Sequence, residues 1–201
     1  MTKTVIAKTV ETATPDDEAA AIATLTLAFA ADPMTRWSWP DPRTYLDAFP
    51  KLARAFGGAA FLKGTAHRVD VGAGVALWLP PGVEPDGEAM GALMQSTLKG
   101  PALMDGAGIM QQMMAFHPHE PHWYLPLIGI DPQHQGKGLG GTLLDHALAI
   151  SDRDGVPAYL ESSNPRNIGL YERHGFERLG RIQNGSSPTL VPMLRKPQRR
   201  T

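Results

Sequence analysis

No cysteine occurs anywhere in the 201 residues. Disulfide staples and thiolate metal sites are therefore excluded, which fits a reducing compartment. A chain this long buries roughly 70% of its extended surface and needs no such staples. Charge of one sign is lacking too. With 19 basic and 20 acidic residues, the net charge is -1. A broad nucleic-acid surface is not expected. No apolar stretch approaches the roughly 18 residues of a membrane span. The start, Met1-Thr2-Lys3-Thr4-Val5, runs into Glu11, Asp16, Asp17 and Glu18 without the long apolar core of a signal peptide. The expectation is a cytoplasmic protein folded as a single domain over residues 1–201, with no membrane partner. The basic tail, Arg195-Lys196-Pro197-Gln198-Arg199-Arg200, reads as a solvated terminus.

What is present alternates between strand-like and helix-like runs. Residues 4–10 alternate weakly, as a first strand would. Pro15 with Asp16, Asp17 and Glu18 predicts a helix start, and Asp32-Pro33 a stop after about Ala31. Met34 to Pro40 reads as a loop carrying Trp37 and Trp39. Thr44 to Phe56 reads as a helix; Phe61 to His67 and Gly72 to Leu79 read as strands. Residues 87–116 look helical but broken at Gly100, Pro101, Gly106 and Gly108. Their methionines, Met90, Met94, Met104, Met110, Met113 and Met114, suit a core or the wall of a groove. The clearest strand is Trp123 to Ile130, and the clearest helix spans 137–152. A short strand at Ala158 to Glu161, a helix from Pro165 to His174 and a hairpin of Phe176 to Ile182 with Thr189 to Leu194 complete the pattern. The fold class is α/β, with about seven strands and helical inserts around 32–60 and 85–120.

Between the clearest strand and the clearest helix lies Gln133-His134-Gln135-Gly136-Lys137-Gly138-Leu139-Gly140-Gly141. A glycine turn opening a helix can aim several backbone N–H groups at one anion. A phosphate-bearing cofactor is the natural ligand. Gly136, Gly138 and Gly141 also spell GxGxxG, with Glu161 about 20 residues on, where a dinucleotide fold places its ribose acid. That reading fits poorly. Residues 131–135 separate the strand from the first glycine, and only 60 residues follow Gly141. No GxxxxGK[ST] is present for a nucleotide P-loop.

The turn resembles motif A of the GCN5-related N-acetyltransferase (GNAT) superfamily, [Arg/Gln]-x-x-Gly-x-[Gly/Ala], through Gln133, Gly136 and Gly138. The run from Glu161 to Phe176 resembles motif B of the same family, with its Asn-x-x-x-Tyr-x-x-x-Gly-Phe core at Asn167, Tyr171, Gly175 and Phe176. Spacing of four puts Asn167 and Tyr171 on one helix face. In wording, both segments are most similar to the branch that contains puromycin N-acetyltransferase. The resemblance implies the acyl-CoA N-acyltransferase fold, a mixed, mostly antiparallel sheet of about seven strands, splayed at its centre and flanked by helices. It implies acetyl-CoA as cofactor. Its pyrophosphate would be held at Gln133, Gln135, Gly136, Lys137, Gly138, Leu139 and Gly140. Its arm would meet Leu127, Ile128, Gly129 and Asn167. Tyr171 would protonate the departing thiolate.

The general base is less determined. Glu120 and His122, just before the central strand, rank first, and Glu161 is a third candidate that also lines the expected acceptor side. Asp32, Trp37 and Trp39 sit in the early insert, where indoles could clamp an apolar amine and a carboxylate attract its charge. The alternative for them is core packing and a helix stop. His117, His119, Glu120 and His122 have ligand chemistry for Zn²⁺, but two interleaved prolines make convergence awkward, and no metal is expected. The implied activity is acetyl transfer to a primary amine of a small molecule, an aminonucleoside or another antibiotic-like compound. A protein terminus or lysine as acceptor, and a non-catalytic acyl-CoA-binding module, remain the alternatives. A monomer or a homodimer would serve.

Overall fold

The computed structural model describes residues 9–198. Seven strands form one sheet in the order β1-β2-β3-β4-β5-β7-β6. They are β1 (Val10–Thr12), β2 (Ala66–Val69), β3 (Gly74–Leu79), β4 (Trp123–Ile130), β5 (Ala158–Ser162), β6 (Glu177–Arg178) and β7 (Val191–Arg195). Every pairing is antiparallel except β4 with β5. That parallel contact is short: Trp123 faces Ala158 and Tyr124 faces Tyr159. Beyond it β5 continues only against β7, and β4 only against β3. The sheet therefore opens into a V between β4 and β5, and the β5-facing edge of β4 is unpaired from Leu125 onward. The splayed, mostly antiparallel α/β sheet is the expected one.

Helices cover both faces. On one side α1 (Glu18–Ala28) and α3 (Pro42–Gly57) pack Leu25, Tyr45 and Phe49 against Leu77, Tyr124 and Leu127. On the other, α7 (Leu139–Asp154) and α8 (Pro165–Arg173) pack Leu143, Leu144 and Tyr171 against Trp78, Leu125 and Leu160. Strand alternation sends neighbouring residues to opposite cores. One irregularity in β4 breaks that rule. Leu77 faces Leu127 but Leu79 faces Tyr124, so Trp78 stands opposite both Leu125 and Pro126. This bulge turns the successive residues Pro126 and Leu127 to the same side, and a bulge is where a strand tolerates proline. Gly129 has a packing cause. A Cβ there would stand 2.7 Å from the Cβ of Ala28, so glycine lets α1 lie directly on β4.

Several sequence expectations are corrected. Met34 to Pro40 is largely helical: α2 spans Pro33–Ser38. Asp32 accepts hydrogen bonds from the N–H groups of Met34 (2.9 Å) and Thr35 (3.3 Å), and Pro33 occupies the first turn. The dipeptide expected to stop the first helix starts the next one instead, because α1 already ends at Ala28. Phe61 to His67 is not one strand. Its first part belongs to α4 (Ala59–Lys63), which ends at left-handed Gly64; a short apolar run carries no period that separates helix from strand. Between residues 87 and 116, α5 (Gly87–Thr97) and α6 (Pro101–Phe116) break only at Gly100 and Pro101. Gly106 and Gly108 lie inside α6, where a Cβ would press on Met94 and Asn184. Arg195 is not solvated: it is 4% exposed and grips Asp152 with two bonds of 2.6 and 2.8 Å. Most of the expected first strand, residues 4–10, lies outside the described residues, and β1 begins at Val10.

Candidate functional site

The glycine turn follows β4 through a short 3-10 turn over Pro132–His134, in which Asp131 accepts from the N–H of Gln133 at 2.8 Å. Gln135 returns its side-chain amide to the carbonyl of Ile130 at 3.1 Å, which pins the loop to the strand end. Gly136 and Gly138 have φ of 74° and 77°, the left-handed region that disfavours a side chain. The N–H groups of Gly136, Gly138, Leu139 and Gly140 donate to no other described residue. They sit at the start of a 16-residue helix, where the helix dipole adds positive potential. Leu139 itself is buried in the core and anchors the turn. Gln133, Gln135 and Lys137 are exposed around it. The cradle therefore suits an extended diphosphate.

α8 lies beside this turn. A Cβ on Gly140 would stand 3.5 Å from Leu170, and one on Gly141 3.6 Å from the His174 ring. Asn164 caps α8 by accepting from the N–H of Arg166 at 3.1 Å, with Pro165 in the first turn. Asn167, one helical turn before Tyr171, is exposed. Tyr171 is buried against Phe176, their ring centroids 6.1 Å apart. Burial, and then the nearby charge of Asp32, push its hydroxyl well above the usual tyrosine range, so it holds its proton throughout the physiological range.

On the α1/α3 side of the V a cavity of about 930 Å³, open mouth included, reaches β4 and β5. Asp32, Trp37, Trp39 and Glu161 all line it, as do Pro126, Leu127 and Ser163. Of the six methionines singled out in the sequence, Met90, Met94, Met110 and Met113 form part of its wall; Met104 and Met114 are exposed. α2, α6 and the loop before β7 close it over. Trp37 donates from Nε1 to Ser186 at 3.2 Å, and Asp105 of α6 accepts from the N–H of Ser186 at 3.0 Å. Trp39 donates to Thr97 at 3.0 Å.

Two carboxylates reach this cavity, and they differ. Asp32 is saturated. Besides the two α2 N–H groups it accepts from the Ser163 hydroxyl at 2.6 Å, which joins the insert to the segment before α8. Glu161 is not. Its Oε2 accepts from the Tyr124 hydroxyl at 2.7 Å, whereas Oε1 is buried with no partner among the described residues. Burial pushes its carboxyl up to about 7, against the opposing effects of the Tyr124 hydroxyl and, next, the nearby Tyr159 hydroxyl. A group titrating there can both take and release a proton near neutrality.

Behind Glu161 lies an aromatic cluster. Tyr124 and Tyr159 have ring centroids 5.8 Å apart, and His117 stands edge-on to both at 4.8 and 5.1 Å. His122 Nδ1 lies 2.8 Å from the carbonyl of Glu120, so that nitrogen carries the proton. Its Nε2 then accepts from His117 Nε2 at 2.9 Å. Burial first, and the neighbouring His122 second, hold His117 below the ordinary histidine range. Within the described residues no three metal-ligating side chains converge.

The structure thus brings the acceptor-side candidates together and separates the favoured base candidates from them. Glu120 is exposed, and neither its side chain nor that of His122 lines the cavity. The third candidate, Glu161, does. Sequence reasoning missed Tyr124, its hydrogen-bonding partner, and Ser163, which ties Asp32 in place. Tyr124 and Glu161 lie 37 positions apart, and only the parallel contact between β4 and β5 makes them neighbours.

Comparison with known proteins adds independent findings. The profile of the acetyltransferase (GNAT) family matches residues 33–176. An uncharacterised N-acetyltransferase of Schizosaccharomyces pombe is 28% identical over 156 residues, covering 70% of this chain and 63% of the relative. A mycothiol acetyltransferase of Geodermatophilus obscurus is 47% identical over 55 residues, 26% of this chain and 18% of that one. The chain therefore spans less than two thirds of the length of these curated relatives. Among solved structures, a Corynebacterium glutamicum protein described as histone acetyltransferase HPA2 and related acetyltransferase superposes with a TM-score of 0.68. It is 29% identical, with 96% of this chain and 98% of that one covered. Among the described residues no helix is long and apolar enough to cross a membrane.

Proposed function

The chain belongs to the GNAT family of acetyltransferases, and we propose that it transfers the acetyl group of acetyl-CoA to a primary amine of a small molecule. The observation that carries this reading is the buried, half-paired carboxylate of Glu161 in a half-open cavity at the β4/β5 opening. The glycine turn supports the donor side: free N–H groups, two left-handed glycines and a helix start form a cradle for a diphosphate. Bound there, acetyl-CoA supplies an activated thioester carbonyl.

The roles of the chain's own residues follow. An aliphatic amine near pKa 10.4 arrives protonated. Glu161, held by Tyr124, removes that proton. The unpaired edge of β4 offers backbone N–H groups to the charge that develops on the carbonyl oxygen. Of residues 127–129 only Ile128 can donate there: the N–H of Asp131 donates to Ala73 on the β3 side, so in alternation those of Gly129 and Leu127 also face β3, and Pro126 has none. With acetyl-CoA bound, the N–C bond would form as the C–S bond breaks; Tyr171 would give its proton to the leaving thiolate and recover one from the nitrogen, which sheds its second proton on becoming an amide. Holding amine and thioester in one cleft accounts for much of the rate. Asn167, Gln133, Gln135 and Lys137 rim the cofactor path. A protein acceptor is the second reading, prompted by the description of the C. glutamicum neighbour. The closure of the cavity by α2 and α6 favours a small molecule.

The test is thiol release across a panel of amines, together with calorimetry of acetyl-CoA binding. Micromolar acetyl-CoA binding and amine-dependent release are expected. No acetyl-CoA binding, or no release with any amine or peptide, overturns the proposal.

A further inference from the structure

Resting on that acetyl-transfer reading, we infer that the acceptor is a lipophilic monoamine: one primary amino group on an aromatic or alkyl body, not a polyamine, a polyhydroxylated amine or a charged peptide. The cavity has one buried carboxylate oxygen without a partner, the small hydroxyls of Thr35, Ser38 and Ser163, and an otherwise apolar wall. Trp37, Trp39, Phe56, Met94, Met110 and Met113 contribute to its wall. Of its two carboxylates, Asp32 already accepts two backbone N–H groups and the Ser163 hydroxyl. Glu161 Oε1 alone is buried without a partner. One ammonium satisfies it. A second ammonium, or a set of hydroxyls, would lose its hydration against carbon and sulfur and gain nothing in return.

The shape of the wall agrees. The indole N–H groups of Trp37 and Trp39 are committed to Ser186 and Thr97, so the rings offer faces and edges and not donors. Five methionines line the space, and their unbranched thioethers let the wall fit bodies of different outline. The expected selectivity is therefore for apolar bulk and a single amine, with tolerance of shape.

A series of n-alkylamines from butyl to octyl tests this, because their amine basicity is nearly constant while buried methylenes increase. Each methylene should raise kcat/KM about fourfold, the equivalent of about 0.8 kcal/mol per buried CH₂, until the cavity fills. Octylamine should exceed putrescine and a lysine peptide by about 100-fold or more. Tryptophan fluorescence, titrated with octylamine in the absence of any cofactor, should change through Trp37 and Trp39. Met110→Lys, which places a charge in the wall, should flatten the chain-length slope while leaving calorimetric acetyl-CoA affinity unchanged. Equal or better turnover of putrescine or the peptide overturns the lipophilic assignment and leaves acetyl transfer standing. Absence of thiol release with every amine overturns the transfer reading; the fluorescence titration then decides the cavity alone, and no change at millimolar octylamine overturns that too. A slope that persists in a folded Met110→Lys variant places the acceptor elsewhere and also overturns the inference.

Discussion

Replacing Glu161 by Gln removes one titrating proton and little volume, and Tyr124 can still donate to the new amide oxygen. Burial moves this carboxyl from the ordinary 4.5 to about 7. Between those values the folded protein keeps a proton that the unfolded chain has released. The wild type is therefore favoured fully below about pH 4.5 and loses that advantage as pH rises to 7. At about 1.4 kcal/mol for each pH unit of the interval, the loss is about 3 kcal/mol. Urea unfolding of both proteins at matched pH isolates it, because all other groups cancel in the difference. Wild-type stability minus that of the Gln variant should fall by about 3 kcal/mol from pH 4.5 to 7 and then stay level. The same proton should appear in catalysis. Wild-type kcat/KM should rise with pH and bend near 7, and the variant should lose that bend with about 10²- to 10⁴-fold in rate. Parallel stability curves, or an unchanged pH–rate profile, would refute the assignment of Glu161 as the buried base.

Two other perturbations probe different parts of the fold. Tyr171→Phe keeps the buried ring and removes the proton donor, so kcat should drop about 10²-fold with acetyl-CoA affinity nearly unchanged, as pre-steady-state kinetics and calorimetry would report. Arg195→Ala strips the guanidinium from Asp152, which is 16% exposed at its side chain, and also frees the carbonyl of His174. It should lower unfolding free energy by about 3–5 kcal/mol in denaturant titration.

What the sequence revealed was local. Gly136, Gly138 and the following helix are read directly, because turn chemistry and helix periodicity need only neighbours in the chain. Asn167 and Tyr171 are legible for the same reason, although one proves exposed and the other buried. Trp123 to Ile130 reads as a strand from end to end; its bulge does not, because the extra residue is defined only against Trp78 of β3. Asp-Pro at 32–33 reads equally as a helix stop or a helix start; the structure uses Asp32 to cap α2, α1 having ended at Ala28. Arg195 looked like part of a basic tail because its partner, Asp152, lies 43 positions away on α7. The choice of Glu161 over Glu120 depends on the parallel contact between β4 and β5, a tertiary fact. Both are glutamates near strand ends, and only folding encloses one of them.

The central claim is that main-chain N–H groups at the start of α7 grip the cofactor's diphosphate while the opened edge of β4 receives its acyl end. Amide hydrogen exchange with and without coenzyme A measures this directly. The account predicts slowed exchange at Gly136, Gly138, Leu139 and Gly140 and at Ile128, with α3 and β2 unchanged. Slowed exchange elsewhere, with residues 136–140 as fast as in the free protein, would contradict it.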